Sequence, residues 1–536
     1  MKHSAALLLA ASVLAVVPAT AAEDVSRTQI NRLLDEGLNR SQVLETAHHL
    51  TDRIGGRLTN SPQMREAERW TQQRLREFGL SNVRAEPFEF GRGWSIVSSS
   101  VRMTAPRVKT LTAIPVAWTP GTNGTIGAGI VVAPMSESEH LDKYRGKLRG
   151  KIVLVTHPGT GSEPMEAPFR RLSDDDLRKL DTYQMPNYSP LQIEKSLRDA
   201  DFAEKRDAFL KAEGALAWVQ MSRRDGGLLH GQGSGYRVGR TPTLPGFEIA
   251  AEDYRRLARL ALTDAAPVLE LASDVRFHDE DVNAYNILAD LPGTDPKAGY
   301  VMAGAHLDSW AAGDGAADNA AGSAVVMEAA RILARLGVKP KRTIRFALWA
   351  GEEQGILGSL AYVERHIGTR PPPEEKYRHL RPGQTWRHRW PLTLKPGHSD
   401  MVAYFNLDNG SGKIRGINTE GNVAAGPIFK EWLAPFAGLG ANTVAVRPTG
   451  STDHVYFQLV GLPGYQFIQD PLDYSSRLHH TNVDTYDHLK GDDLRQASVI
   501  MAAFLLNAAN RAEPLPRMPV PSQPKPTDPF EYPEED

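Results

Sequence analysis

The pattern of apolar and polar positions divides the first half of the chain into two parts of different character. Residues 43–50 and 63–78 carry apolar side chains at helical spacing and predict two amphipathic helices. Between about 121 and 272, short β-like runs such as IVVAP and KIVLVTH alternate with Gly and Pro. One amphipathic helix is predicted within this stretch, near 202–213. The texture is typical of an inserted β-rich domain.

From about residue 282 the pattern becomes strand, loop and helix, repeated. The segments YNILADL, YVMAGA, TIRFALWA and MVAYFNL predict buried strands. The segment 319–337 predicts a helix with an apolar face made of Val325, Ala329, Ile332, Leu333 and Leu336. Alternation of this kind predicts an α/β fold, with a mostly parallel mixed sheet flanked by helices.

The first 22 residues have the pattern of a signal peptide. Lys2 supplies a basic start, an apolar run covers 5–17, and Ala19-Thr20-Ala21 has the small residues of a cleavage site. The run is shorter than the roughly 20 residues of a membrane span, so cleavage is expected instead of anchoring. The sequence also contains no cysteine, which excludes disulfides and a cysteine-anchored lipoprotein. We therefore expect a periplasmic or secreted protein.

Length and these patterns predict the division of the chain. With 536 residues, more than one domain is expected. The predicted parts are a signal peptide (1–22), an N-terminal segment with the start of the main domain (23–120), an inserted domain (121–272), the main domain (273–512) and a disordered Pro-rich tail (513–536). The Pro-, Arg- and His-rich stretch 369–397 is predicted to be a surface excursion.

Overall charge narrows the possible partners. The formal net charge is −2, which gives no reason to expect nucleic acid or an anionic membrane as a partner. No stretch after the signal peptide is long and apolar enough to predict a membrane span. The charged fraction of 24% is that of a globular domain.

Several histidines and acidic residues lie at the ends of predicted strands or in predicted loops. They are His306 and Asp308 after YVMAGA, Asp318 before the predicted helix, Glu352 and Glu353 after TIRFALWA, Asp408 after MVAYFNL, and His479 and His480 in a loop. Taken singly, each has a structural explanation, such as a helix N-cap or a turn residue. In a parallel α/β sheet, however, ligands bind at the carboxyl ends of the strands, so these side chains are expected to converge.

Two histidines with three carboxylates make a donor set for two Zn²⁺ ions. A pair of such ions lowers the pKa of a water molecule and polarises a carbonyl group. Transfer of a proton to a leaving amine then needs a carboxylate that is not a ligand. The adjacent Glu352 and Glu353 fit this division, with one binding metal and the other moving the proton.

Six motifs resemble the M28 family of zinc exopeptidases in their order and relative positions. They are HLD, DNAAG, GEEQGILGS, NLD, STDHVYFQLVGLPG and HTNVDT, and the resemblance covers roughly 53–88 and 282–510. The stretch 121–272 resembles the protease-associated domain that many members insert. The resemblance therefore implies a peptidase with a peptide substrate.

The resemblance also implies a role for each site residue. His306 and Asp408 would hold one zinc, Glu353 and His480 the other, and Asp318 would bridge them. Glu352 would be the general base. Asp308 would orient His306 without binding metal, and the peptide bond after Asp318 would be cis.

The sequence departs from the family's pattern at His479, where several members have a tyrosine that stabilises the oxyanion. An imidazole can donate the same hydrogen bond, so His479 is predicted to do so. Asp453 and His454 are expected either to border the site or to cap a turn. The histidines of the excursion, His379, His388 and His398, are expected to be surface residues.

Several activities remain open at this point. An aminopeptidase is the leading expectation, and a dipeptidase or carboxypeptidase is the alternative within the family. An acidic group near the metals would favour capture of an α-amine, whereas Arg or Lys would favour an α-carboxylate. A non-catalytic binding module and the single-zinc cyclase branch are further alternatives, but the complete set of presumed ligands and the DNAAG motif count against them.

Overall fold

The computed structural model describes residues 25–162, 167–184, 191–237 and 239–523. The predicted signal peptide lies outside the described residues. Within the part that is described, no helix is both long enough and apolar enough to span a membrane.

The helices are numbered in chain order. They are α1 Arg27–Leu34, α2 Val43–His48, α3 Pro62–Glu77, α4 Ser138–Asp142, α5 Asp174–Leu180, α6 Leu191–Ala212, α7 Ala251–Leu260, α8 Ala321–Arg335, α9 Leu357–His366, α10 Pro382–Thr385, α11 Gly397–Asp400, α12 Gly426–Leu433, α13 Val455–Gln458 and α14 Gly491–Asn510. The helices predicted near 43–50 and 63–78 are present as α2 and α3. The helix predicted near 202–213 forms the end of the longer α6.

The strands are numbered in the same way. They are β1 Ser81–Glu89, β2 Gly93–Ala105, β3 Lys109–Thr110, β4 Ala113–Pro115, β5 Ile126–Val132, β6 Ile152–Leu154, β7 Ala217–Met221, β8 Gly246–Ile249, β9 Val268–His278, β10 Asn283–Leu291, β11 Tyr300–His306, β12 Thr343–Trp349, β13 Gly368–Thr369, β14 Thr393–Leu394, β15 Met401–Asn406, β16 Ile414–Asn418, β17 Thr443–Ala445 and β18 Gly464–Gln469. All four strands predicted from the apolar runs after residue 282 are present.

A mixed sheet of eight strands forms the main body, in the order β1-β10-β12-β11-β15-β18-β16-β17. The four central strands β12, β11, β15 and β18 run parallel. β10 is antiparallel to both β1 and β12, and β16 is antiparallel to β18 but parallel to β17. The carboxyl ends of the four central strands therefore meet at one edge of the sheet, as the predicted mostly parallel mixed sheet requires.

Helix α8 is more deeply buried than its predicted single apolar face requires. It packs against β11 and also against α2 and α14. As a result its polar residues Glu328 and Arg331 are buried as well. Arg331 is paired there with Glu328 at 2.8 Å and with Glu36 at 2.6 Å, which compensates for the loss of hydration.

A second sheet of eight strands has the order β3-β2-β9-β5-β6-β7-β8-β4. Its strands extend from Gly93 to His278, whereas the sequence predicts an inserted domain over 121–272. The difference arises because β2 and β9, the two longest strands of this sheet, pair with each other along their whole length. β2 ends before the change of sequence pattern at about residue 121, so the periodicity did not assign β2 to this sheet.

Two segments predicted to lie on the surface or to be disordered are partly packed. Trp386, in the stretch 369–397, is fully buried. In the predicted disordered tail, the described residues 513–523 bury Leu515, and Arg517 donates to the carbonyl oxygen of Met401 at 2.7 Å. Single apolar and arginine side chains hold these segments, and such contacts leave no periodic signal in the sequence.

Candidate metal centre

His306 is the last residue of β11 and lies buried at the edge where the parallel strands end. Its Nδ1 lies 2.9 Å from the backbone carbonyl oxygen of Asp308, and its Nε2 lies 3.2 Å from Oδ1 of Asp408. A carbonyl oxygen can only accept, so Nδ1 carries the proton in this contact. Nε2 is then the nitrogen available to a metal ion.

Asp318 lies between two histidines. It belongs to the kinked segment Ala316–Ala320 before α8, and the peptide bond to Asn319 is cis, as the resemblance implies. Its Oδ1 lies 3.4 Å from Nε2 of His306, and its Oδ2 lies 3.3 Å from Nε2 of His480. The two oxygens of one carboxylate therefore face two different imidazoles.

Glu353 completes the second half of the cluster. Its Oε2 lies 2.8 Å from Nε2 of His480. The contact with His480 does not have hydrogen-bond geometry, and both carboxylate oxygens of Glu353 and Oδ2 of Asp318 are buried without a hydrogen-bond partner among the described residues. Buried carboxylate oxygens without donors are costly unless a cation satisfies them. This arrangement fits a metal ion held between Asp318, Glu353 and His480.

Two groups of potential ligand atoms share Asp318. Those of His306, Asp318 and Asp408 lie within 4.8 Å of one another, as do those of Asp318, His479 and His480. Imidazole nitrogens and carboxylate oxygens, without thiolates, are donors that suit Zn²⁺. The donor set therefore fits two ions that share one carboxylate.

The pKa values of the acid groups at the centre are shifted in opposite directions by burial and by nearby charges. Burial raises the pKa of both Glu352 and Glu353 well above the usual value for a glutamate. Burial also acts to raise the pKa of Asp318, but the hydrogen bond with His306 and the charge of His480 outweigh it and lower this pKa. Asp318 is thus the most readily ionised of the three.

The carboxylate of Asp308 holds the turn that carries the two glutamates. Its Oδ1 accepts a hydrogen bond from the backbone nitrogen of Glu352, and its Oδ2 accepts one from that of Glu353, both at 3.2 Å. Thr59 donates to the same Oδ2 at 3.1 Å. The sequence predicts that Asp308 orients His306, and it is the backbone oxygen of Asp308 that contacts Nδ1, while the carboxylate lies 3.7 Å away.

His479 and Asp453 lie beside the centre. The rings of His479 and His480 are 3.7 Å apart, and Nε2 of His479 lies 4.0 Å from Asp318. Burial lowers the pKa of His479 to about 4, so the ring is neutral near pH 7. Asp453 is fully buried, accepts a hydrogen bond from Ser359 at 2.6 Å, and has its pKa raised to about 8 by burial. His454 faces a different partner from Asp453, because its Nε2 lies 3.1 Å from the hydroxyl oxygen of Thr449.

Three residues to which the sequence analysis assigns no role support the centre. Asp484 accepts hydrogen bonds from the backbone nitrogens of Ala317 at 2.7 Å and Asp318 at 3.0 Å. Its only sequence signal is its place in HTNVDT, four residues after His480. The second is Gln232 of the second sheet's domain, which lies 2.7 Å from Nδ1 of His480. It is separated from this histidine by 248 positions and leaves no local signal.

The third residue, Arg57, is fully buried beneath the loops of the centre. Its guanidinium donates to the carbonyl oxygens of Leu307, Asp314 and Gly315, each at 2.8 Å. These carbonyls lie in the loops that carry His306 and Asp318. An isolated arginine in a loop has no pattern that would distinguish it from a surface residue.

The candidate centre lies in a region of the chain that is similar to known peptidases. The model of peptidase family M28 matches residues 286–505, which contain every metal-capable residue described above. Carboxypeptidase Q of Mus musculus is 25% identical over 497 residues, covering 92% of this chain and 91% of that protein. Leupeptin-inactivating enzyme 1 of Streptomyces exfoliatus is 32% identical over 35% of this chain and 36% of that protein.

Solved structures share the fold. A peptidase M28 precursor from Shewanella amazonensis SB2B superposes with a TM-score of 0.64 at 24% identity, covering 92% of this chain and 98% of that one. A zinc aminopeptidase from Bacillus subtilis gives a TM-score of 0.55 at 18% identity, covering 88% and 94%. The family match and the donor set together lead to one conclusion. Over residues 286–505 the chain matches peptidase family M28, and together with the donor set this match indicates a metallo-exopeptidase with two Zn²⁺ ions as its cofactor.

Proposed function

We propose that His306 and Asp408 hold one Zn²⁺ ion, that Glu353 and His480 hold the second, and that Asp318 bridges both. The observation that carries this assignment is the placement of the two oxygens of Asp318 toward two different histidines, at 3.4 and 3.3 Å. When bound, the two ions lower the pKa of a water molecule and polarise the carbonyl of the scissile peptide bond.

Glu352 is the proposed general base. It is buried at the same turn as Glu353, and Asp308 fixes the backbone of both glutamates. Burial raises its pKa, and a carboxylate with a raised pKa accepts a proton from the attacking water more readily. Glu352 then delivers the proton to the leaving nitrogen. His479, with a neutral ring, is placed to donate a hydrogen bond to the oxygen of the carbonyl under attack.

We further propose that the substrate is a short peptide and that its free carboxyl end is recognised, as in a carboxypeptidase or dipeptidase. This is supported by the carboxypeptidase Q relatives, which align over 92% of this chain. The aminopeptidase expected from the sequence is the second candidate. An aminopeptidase of Pseudomonas aeruginosa supports it with 39% identity, although over only 20% of this chain.

End-blocked peptides test the activity and its direction. The zinc-loaded protein would be incubated with one leucine-containing tripeptide in free, N-acetylated and C-amidated forms. Loss of cleavage on amidation, with acetylation tolerated, is the result of a carboxypeptidase, and cleavage of the free form alone is that of a dipeptidase. Cleavage of the amidated but not the acetylated form would replace the proposal with an aminopeptidase.

The location of the protein is a separate proposal. Residues 1–22 act as a signal peptide and direct the chain to the periplasm or outside the cell, which the basic start, apolar run and small residues support. N-terminal sequencing of the exported protein tests cleavage after Ala21 or Ala22, and an unprocessed Met1 would refute it.

We also propose that the second sheet is the core of an inserted protease-associated-like domain.

A further inference from the structure

A cavity of about 560 Å³ lies next to the metal centre, on the side of Asp408. Asn409, which follows Asp408 in the chain, lines it. So does Gln466, whose Nε2 donates to the backbone oxygen of Asp408 at 3.1 Å. Tyr474 forms another part of the wall, and its ring lies 5.1 Å from that of His479. A substrate held at the metals can therefore extend into this cavity.

The cavity has a one-sided charge. Arg170 and Arg447 line it, and no aspartate or glutamate does so among the described residues. The nearby carboxylates of Asp181 and Asp470 accept hydrogen bonds from other groups, Asp181 from the backbone nitrogen of Val446 at 3.1 Å. Asp470 accepts hydrogen bonds from Arg171 and Arg415, each at 2.9 Å. The electrostatic preference of the cavity is thus for an anion.

Arg447 differs from the other arginines of this region. Its Nε is buried without a hydrogen-bond partner, and no ion pair joins Arg447 to any carboxylate in the described ranges. Arg415, by contrast, is paired with Asp470. The buried Nε of Arg447 has lost hydration without compensation, and a carboxylate is the group that matches the planar array of donors of a guanidinium.

Two amide groups of the wall add acceptors. Oδ1 of Asn418 and Oε1 of Gln469 are buried without partners. Their nitrogens are held by backbone oxygens, at 3.2 Å from Gln466 and 2.9 Å from Gly410. These contacts orient the amide oxygens as acceptors for N–H donors. A wall with a cation and with acceptors suits an amino-acid residue that carries both a carboxylate and N–H groups.

We infer that this cavity is a substrate subsite and that Arg447 binds a carboxylate of the peptide being hydrolysed. The inference rests on the proposed peptidase function. The carboxylate has two possible sources, the side chain of an acidic residue beside the scissile bond or the free α-carboxylate at the chain end. Both present the same planar anion to Arg447, and substrates distinguish them.

The test compares wild type with Arg447→Met on matched peptide pairs. The pairs are Glu-Leu with Gln-Leu, Leu-Glu with Leu-Gln, and Leu-Leu with Leu-Leu amide. We expect the wild type to prefer the charged member of at least one pair. In Arg447→Met that preference falls 10-fold or more because KM for the charged member rises. The kcat values and the KM for the neutral member are little changed. The first two pairs report a side-chain carboxylate, and the third reports the α-carboxylate.

Controls separate this inference from folding and from the proposed function. Arg259→Met, at an exposed arginine of α7, removes a positive charge away from the cavity and should leave every preference unchanged. Arg447→Lys keeps the charge and should recover part of the preference. Equal loss on both members of every pair, or no loss, overturns the inference.

If wild type cleaves no peptide, the proposed function fails. Calorimetric binding of the same pairs to the zinc-loaded protein then decides the inference by itself. Weaker binding of the charged member to Arg447→Met supports it, and equal binding of that member to wild type and Arg447→Met refutes it.

Discussion

The side-chain amide of Gln232 lies 2.7 Å from Nδ1 of His480, so the domain built on the second sheet contacts the metal centre directly. Nearby, the backbone nitrogen of Leu229 donates to Oδ1 of Asn482 at 2.7 Å. A histidine that binds metal through Nε2 carries its proton on Nδ1, which the amide oxygen of Gln232 can accept. In the structure the amide nitrogen faces Nδ1, and rotating the amide by 180° places its oxygen there without changing its shape. Gln232 is thus placed to orient His480, the proposed metal ligand.

Gln232→Ala should weaken binding of one Zn²⁺ ion, because His480 loses the partner that fixes its ring. The expected loss in zinc affinity is about 10–100-fold, the range for outer partners of ligating histidines. Competition with a chelator measures it, and Gln232→Glu should restore most of the affinity because it keeps an acceptor. Gln220→Ala, in β7 of the second sheet, is the matched control. Unchanged zinc affinity in Gln232→Ala would show that the contact has no role in orientation.

Glu352→Gln should abolish turnover and keep both metal ions. The amide has nearly the same shape but cannot accept the proton, and the loss of a general base is expected to cost about 10²–10⁴-fold in kcat. Peptide hydrolysis and zinc content by mass spectrometry are measured on the same sample. Loss of zinc together with activity would mean that the roles of Glu352 and Glu353 are reversed.

Glu353→Ala should release one of the two ions. Its Oε2 lies 2.8 Å from the imidazole of His480, and its removal leaves that ion with fewer protein ligands. The expected stoichiometry falls from two zinc ions toward one, and hydrolysis is lost. Ser359→Ala, six residues further along at the start of α9, serves as a control for binding because Ser359 contacts Asp453 and no proposed ligand. Two retained ions would remove Glu353 from the ligand set.

Asp308→Asn should lower activity through the position of the two glutamates. Each carboxylate oxygen of Asp308 accepts one backbone N–H of the turn at 3.2 Å, and the asparagine would place a donor against one of them. We expect kcat to fall about 10–100-fold. Thr59→Val removes only the third hydrogen bond to Asp308 and should have a smaller effect. An unchanged kcat in Asp308→Asn would show that the turn keeps its position without this carboxylate.

Arg57→Met should destabilise the protein. The buried carbonyl oxygens of Leu307, Asp314 and Gly315 would lose their donor, and each unsatisfied group costs about 1–3 kcal/mol. The free energy of unfolding should fall by more than about 3 kcal/mol. Arg53→Met, at an exposed arginine four residues earlier, should be nearly neutral. Denaturant unfolding of the zinc-loaded protein measures both, and equal stabilities would refute the role of Arg57.

Local periodicity determined much of the main body. The apolar runs that became β10, β11, β12 and β15 are continuous because both faces of these strands are buried. Parallel strands end at a common edge, so the sequence also indicated that His306, Glu353 and Asp408 would lie together. Their residue types predicted a site for two zinc ions, and the resemblance of the motifs to the M28 family implied a peptidase.

Tertiary structure alone decided what surrounds the ligands. Gln232 and Arg57 contact residues far away in the chain, and Arg447 lines a cavity formed by distant segments; isolated placements of this kind leave no repeating pattern in the sequence. The extent of the second sheet depended in the same way on the pairing of β2 with β9, which are separated by more than 160 positions. Periodicity reports which face of a strand or helix is buried. It does not report which distant side chain lies against that face, because only the folded chain brings the two together.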